Sequence, residues 1–161
     1  MSETFTDQVE QFYQEYRREL FVYALSLTRN DGAAEDAVHT AFMKILKRGR
    51  TPRDLKLYAF RCVRNAAIDE FRANGRVKKE LRFFKSSEIS RMPNELTGQS
   101  EIEEELKSLS EDERETILLK IYGGMTLKEV ARTRGARPGT VASWYRRGIE
   151  KLRNRLEETK T

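Results

Sequence analysis

The 161-residue chain has one cysteine, Cys62, and one histidine, His39. So few ligands cannot build a disulfide framework or a cysteine/histidine zinc site, and neither metal nor cofactor is expected. Long apolar runs are missing too. Nothing approaches the roughly 20 residues that span a bilayer, and the stretch from Met1 to Asp7 is acidic and polar where a secretory leader is basic. A cytoplasmic protein without membrane insertion is expected. Strand-type alternation bounded by hairpin signals is absent as well. At 161 residues there is room for one ordinary domain or two small helical ones, which is short for a doubly wound or barrel enzyme.

Charge is abundant. Charged residues make up 35% and hydrophobic ones 38%, so each buried face must be narrow, while 9% aromatics argue against wholesale disorder. The net charge of +5 conceals blocks of opposite sign: −5 over residues 1–43, +10 over 44–85, −7 over 86–119, +8 over 120–155 and −1 over 156–161. Two basic blocks separated by an acidic one suggest two places where a polyanion is held and an acidic surface left for another partner. Solvated helix faces are the plainer reading of the same runs.

Helical spacing dominates, and the fold class read from it is all-α: two small helical domains joined by a flexible linker. Val9, Phe12, Tyr16, Leu20, Ala24 and Leu27 mark a first helix, with Asn30-Asp31-Gly32 as its stop. In the second, Val38, Ala41, Phe42 and Ile45 form an apolar stripe, so Asp36, His39, Thr40, Met43 and Lys47 point the other way. Thr51-Pro52 is the candidate start of a third, as N-cap and first helical residue. There Leu55, Ala59, Phe60, Val63, Ala67 and Phe71 make the buried stripe. At about 100° per residue, Arg61, Asn65, Asp69, Arg72 and Arg76 gather on the opposite side as a basic strip with an Asn and an Asp set into it. The polar stretch 85–101 reads as the linker between domains 1–84 and 102–161.

The second domain should begin near Glu101 with Ile102, Leu106 and Leu109, behind acids (Glu101, Glu103, Glu104, Glu105) that read as an ordinary solvated helix start. Ser110-Glu-Asp-Glu113 and Thr126-Leu-Lys-Glu129 both fit the capping box. The first opens a helix through Ile117, Leu118 and Ile121 that stops at Gly123-Gly124; the second buries Leu127, Val130 and Ala131. Gly135-Ala136-Arg137 turns the chain into a last helix burying Val141, Tyr145, Gly148, Ile149, Leu152 and Leu156. Short helix, glycine turn and long basic helix are the layout of a helix-turn-helix. The wheel puts Thr140, Ser143, Trp144, Arg147 and Lys151 away from the core, with Arg137 and Arg146 as flanking phosphate contacts. Cations hold phosphates, and Arg also forks onto guanine; Arg147 is assigned to base reading and Lys151 to phosphate.

These residues resemble a known family. Ala34-Glu-Asp-Ala-Val-His-Thr-Ala-Phe42, the run from Tyr58 through Asn65-Ala-Ala-Ile-Asp69-Glu-Phe-Arg72, and the stretch from Leu109 through Gly139-Thr140-Val141 to Leu156 look like an extracytoplasmic-function (ECF) sigma factor. The resemblance implies a non-catalytic transcription initiation factor that binds core RNA polymerase and directs it to promoter DNA. Its N-terminal domain would hold the clamp helices of the polymerase β′ subunit through Glu35, Asp36, His39, Thr40 and Met43. The same domain would act on the melted minus-ten element through Arg61, Asn65, Asp69, Arg72 and Arg76. By the same resemblance the C-terminal domain reads the minus-thirty-five element, and an anti-sigma factor is a further candidate partner. The sequence departs from the family at His39, usually Gln, at Thr40, usually acidic, at Tyr58, usually Trp, and at Trp144, usually basic. Trp144 either reaches a thymine methyl or covers the domain rim, and the rim is preferred. Two other readings stand beside this one: an operator-binding regulator using the same helix-turn-helix, which leaves the Asn65/Asp69 face without a use, and a serine recombinase, whose α/β catalytic domain has no counterpart here. Cys62 reads as a structural thiol and His39 as an exposed side chain without a pH role.

Overall fold

A computed structural model describes the backbone of residues 4–75 and 104–159 and the side chains of 4–72 and 104–158. The described residues are helical, with no strand, and the chain divides into two units, Met1–Met92 and Pro93–Thr161. The expected linker 85–101, together with Arg76, Glu101, Ile102 and Glu103, lies outside the described residues.

In the first unit, α1 (Phe5–Thr28) starts at a capping box: the Thr4 hydroxyl accepts from the Asp7 amide at 3.1 Å while the Asp7 carboxylate accepts from the Thr4 amide. The spacing pattern captures its first half, where Val9 and Phe12 are buried; from Leu20 to Leu25 every residue is buried, and Leu27 is only half-buried. Its end differs from expectation. Arg29, not the Asn30-Asp31-Gly32 run, takes the left-handed conformation at φ 58°, and its amide donates to the Leu25 carbonyl at 2.8 Å. Asn30 is then free to cap α2 (Asp31–Arg48), its Oδ1 accepting from the Ala33 amide at 2.8 Å, and Gly32 sits inside the new helix.

The apolar stripe of α2 is buried as read, with Ala33, Ala34 and Ala37 added to Val38, Ala41, Phe42 and Ile45. α3 (Leu55–Gly75) begins three residues later than Thr51-Pro52 suggested. Asp54 is the cap, its carboxylate accepting from the Leu57 amide at 3.0 Å, while Thr51 donates instead to Gln8 of α1 and Pro52 is buried. Ala59, Phe60, Val63 and Ala67 are buried as expected; Phe71 is 37% exposed, beyond the last buried position of the stripe. Each of the three helices packs on the other two, and Phe12, Tyr13, Tyr16 and Phe42 form a ring cluster with the edge-on Tyr13–Phe42 pair at 4.9 Å.

In the second unit, helical backbone at 104–106 ends in a turn that buries Leu106 and Leu109. Arg114 closes that end, donating from Nε to the Leu106 carbonyl and from Nη2 to the Leu109 carbonyl, both at 2.9 Å. Both capping boxes form: Ser110/Glu113 opens α4 (Glu111–Ile121) and Thr126/Glu129 opens α5 (Leu127–Arg134). Ile117 and Leu118 are core, joined by Leu119, whereas Ile121 is 54% exposed. Leu127, Tyr145, Ile149 and Leu156 are half-buried where full burial was expected, and Val130, Ala131, Val141, Gly148 and Leu152 are buried.

Gly135 ends α5 at φ 65°, a conformation a side chain would strain, and the chain enters α6 (Pro138–Thr159) with proline at its first position. α6 crosses α4 closely because residue 148 has no side chain: a Cβ there would lie 2.5 Å from Ile117 Cδ1 and 3.4 Å from Glu113 Cβ.

Candidate functional site

Three faces among the described residues carry the polar side chains singled out in the sequence. On α2, Asp36, His39, Thr40 and Met43 are exposed, as the wheel placed them, and so is Glu35. Met43 is 56% and Leu46 41% exposed, so a carboxylate and two unbranched or γ-branched apolar side chains share the face. Leu46 was missed because it falls at the edge of the apolar stripe. Its spacing of three from Met43 was the available signal.

On α3, Asn65, Asp69 and Arg72 are exposed and lie at i, i+4 and i+7, so they form one row. Arg61, expected in the same row, is half-buried and engaged with neighbours, which removes it from the exposed set. Phe71 stands exposed beside Arg72. Its stripe continues in sequence past the point where the core ends. On the reverse side of α3, Cys62 is buried, which pushes its thiol above the usual range and leaves little reactive thiolate. Tyr58 lies under the Arg48 guanidinium at 5.0 Å.

The third face belongs to α5 and α6. Arg137, Thr140 and Arg146 are exposed, and Ser143 is half-buried. Trp144 is half-buried at the rim, its ring covered at 4.6 Å by Arg134, which bridges to Asp112 at 2.7 Å and Glu115 at 3.2 Å. One guanidinium thus ties the turn of the helical pair to α4.

Arg147 and Lys151 depart from the wheel. Although about half exposed, they do not point clear of the core: Lys151 Nζ donates to Glu113 Oε1 at 2.8 Å and Arg147 Nε lies 3.6 Å from Glu113 Oε2. The cause is the close crossing at Gly148, which brings α4 beneath two long, flexible cations. Glu113 is only 5% exposed; burial drives its carboxyl upward, yet the bonds from Lys151 and Ser110 outweigh burial and hold it below the usual carboxylate range. Sequence reading found Glu113 as a cap but not as a buried anion, because no spacing rule links residue 113 to residues 147 and 151. Glu105, expected to be solvated, is likewise folded against Arg155.

Two family models match: Sigma-70 region 2 over residues 12–77 and Sigma-70, region 4 over residues 99–152. The ECF RNA polymerase sigma factor SigL of Mycobacterium tuberculosis is 28% identical over 155 residues, covering 91% of this chain and 87% of its own. Among solved structures, the sigma factor RpoE in complex with the anti-sigma factor NepR from Bartonella quintana shares the fold, with a TM-score of 0.62 and 23% identity over 92% of this chain and 96% of that one. The chain belongs to the sigma-70 family, in its extracytoplasmic-function class.

Proposed function

We propose that the chain is a transcription initiation factor that binds core RNA polymerase, brings it to specific promoters and helps melt the DNA, with no bond chemistry of its own. It acts in the cytoplasm. The observation that carries this reading is the pairing, in one chain, of a helix-turn-helix unit with a separate three-helix unit whose α3 exposes Asn65, Asp69 and Arg72 in one row. An operator-binding regulator uses α5 and α6 and leaves that row idle.

In this proposal the first domain (1–84) docks on the β′ clamp helices through the α2 face and acts on the melted minus-ten strand through the α3 row. A melted strand offers base edges and phosphates that a mixed polar face can bind. The linker (85–101) joins it to the second domain (102–161), whose Arg137, Thr140, Ser143 and Arg146 meet the minus-thirty-five duplex, α6 entering the groove N-terminus first. Trp144 completes the rim of that surface. The RpoE relative is held by an anti-sigma factor, and a protein of that class is the proposed antagonist here.

Runoff transcription with core polymerase tests the proposal: a promoter-specific transcript is expected only when the chain is added. On the same promoter the triple alanine variant at Asn65, Asp69 and Arg72 should keep polymerase binding and lose permanganate reactivity of the melted thymines. A chain that binds operator-like DNA but never alters the polymerase's choice of start site overturns the proposal.

A further inference from the structure

Glu113 of α4 sits beneath two cations of α6. Its Oε1 accepts from the Ser110 amide at 3.2 Å and from Lys151 Nζ at 2.8 Å, and its Oε2 faces Arg147 Nε at 3.6 Å. Lys151 and Arg147 are 50% and 53% exposed, whereas the carboxylate is 5% exposed. The two cations therefore lie between a buried anion and the surface on which a duplex would be laid. Gly148, between them in sequence, is what lets the carboxylate come so close.

We propose that Glu113 is an internal counter-ion that withholds Lys151, and with it Arg147, from DNA phosphates and so sets the strength and salt dependence of duplex binding. The inference rests on the reading of α6 as a duplex-binding helix. A phosphate on an exposed groove is screened by salt and water, while a largely buried carboxylate deprived of Lys151 keeps the Ser110 amide as a hydrogen-bond donor. In the competition for one ammonium group the buried anion wins. The cations that reach phosphate unopposed are then those that Glu113 does not hold, Arg137 and Arg146. Arg147 becomes a group positioned by Glu113, not a free base reader, which revises the role its place in the helix suggested.

Glu113→Gln tests this, because glutamine keeps the length of the side chain and can still accept from the Ser110 amide. Duplex binding by the full chain is titrated at several salt concentrations. The variant should bind more tightly, with a log–log salt slope steeper by about 0.9 for each phosphate gained, or roughly eightfold at 0.1 M salt relative to 1 M salt for one phosphate. Lys151→Met should weaken binding more when combined with Glu113→Gln than when made alone. Equal losses in both backgrounds, or weaker binding by Glu113→Gln with an unchanged slope, overturn the proposal.

A DNA-free measurement accompanies it. Acetic anhydride labelling of the folded native chain should modify Lys151 several-fold more slowly than exposed Lys128 and should speed up at Lys151 in Glu113→Gln; equal rates at the two lysines of the native chain overturn the counter-ion arrangement whatever the stability of the variant. Absence of duplex binding by both chains at low salt overturns instead the DNA-binding reading and the consequence drawn from it.

Discussion

Glu113 combines two demands on one side chain. As the third residue of α4 it closes the capping box with Ser110, and as a buried anion it accepts from Lys151. Because its folded pKa lies below the ordinary carboxyl value of 4.5, the native state binds fewer protons than the unfolded chain around that pH. The stability it contributes is therefore fully present above the unfolded value and is lost as pH falls through the folded one. Chemical denaturation followed by circular dichroism should show the second unit weakening as pH falls below the ordinary carboxyl value of 4.5, and Glu113→Gln should flatten that dependence. At neutral pH the same substitution should cost about 1 kcal/mol, near the low end for a charge-assisted bond because Lys151 is half-exposed. An unchanged acid limb in the variant would show that other carboxylates carry it.

At the scale of elements, the two capped helix starts of the second unit were legible in the sequence, whereas the Thr4/Asp7 box that opens α1 and the Asn30 cap of α2 are found only in the structure. Ser110/Glu113 and Thr126/Glu129 needed only local geometry, since each box satisfies amides three residues away. The start of α3 was misread for a tertiary reason: Pro52 is buried and Thr51 is bound to Gln8 of another helix, so the chain continues to Asp54 before turning helical. Asp54→Ala should accordingly cost about 1 kcal/mol in urea unfolding, and Thr51→Ala less than about half of that. Equal losses would return the cap to Thr51. The face of α2 carries its own expectation, because Asp36 is exposed on the same helix as exposed Met43 and Leu46, with no core role to confound the result. Asp36→Lys should weaken binding to core polymerase about tenfold, and a change below about twofold, or 0.4 kcal/mol, would remove this face from the docking surface.

For the whole molecule, the alternation of charge blocks follows the division of the chain into two units, each with its own core and its own basic helix. Val63 and Ala67 close the first core and Val130, Val141 and Leu152 the second. Expressed separately, residues 1–92 and 93–161 should each show helical circular dichroism and a cooperative thermal transition, because each unit carries a buried core of its own. A fragment that stays unfolded until mixed with the other would mean that the two cores are not independent.

The all-α class, the helix-turn-helix layout, both second-unit capping boxes and the exposed rows on α2 and α3 follow from the sequence by itself, since each depends on residues within one or two helical turns of each other. Tertiary structure alone decided the rest. Phe71 and Ile121 obey the helical period yet stand exposed, since the period says which way a side chain points and not whether another helix lies there. Arg147 and Lys151 obey it as well, but their charge is met by Glu113, 34 and 38 residues away in sequence, through a crossing that the absent side chain of Gly148 permits. Periodicity assigns faces within a helix; which charges remain available on a face is fixed only when a second helix brings a buried carboxylate beneath it.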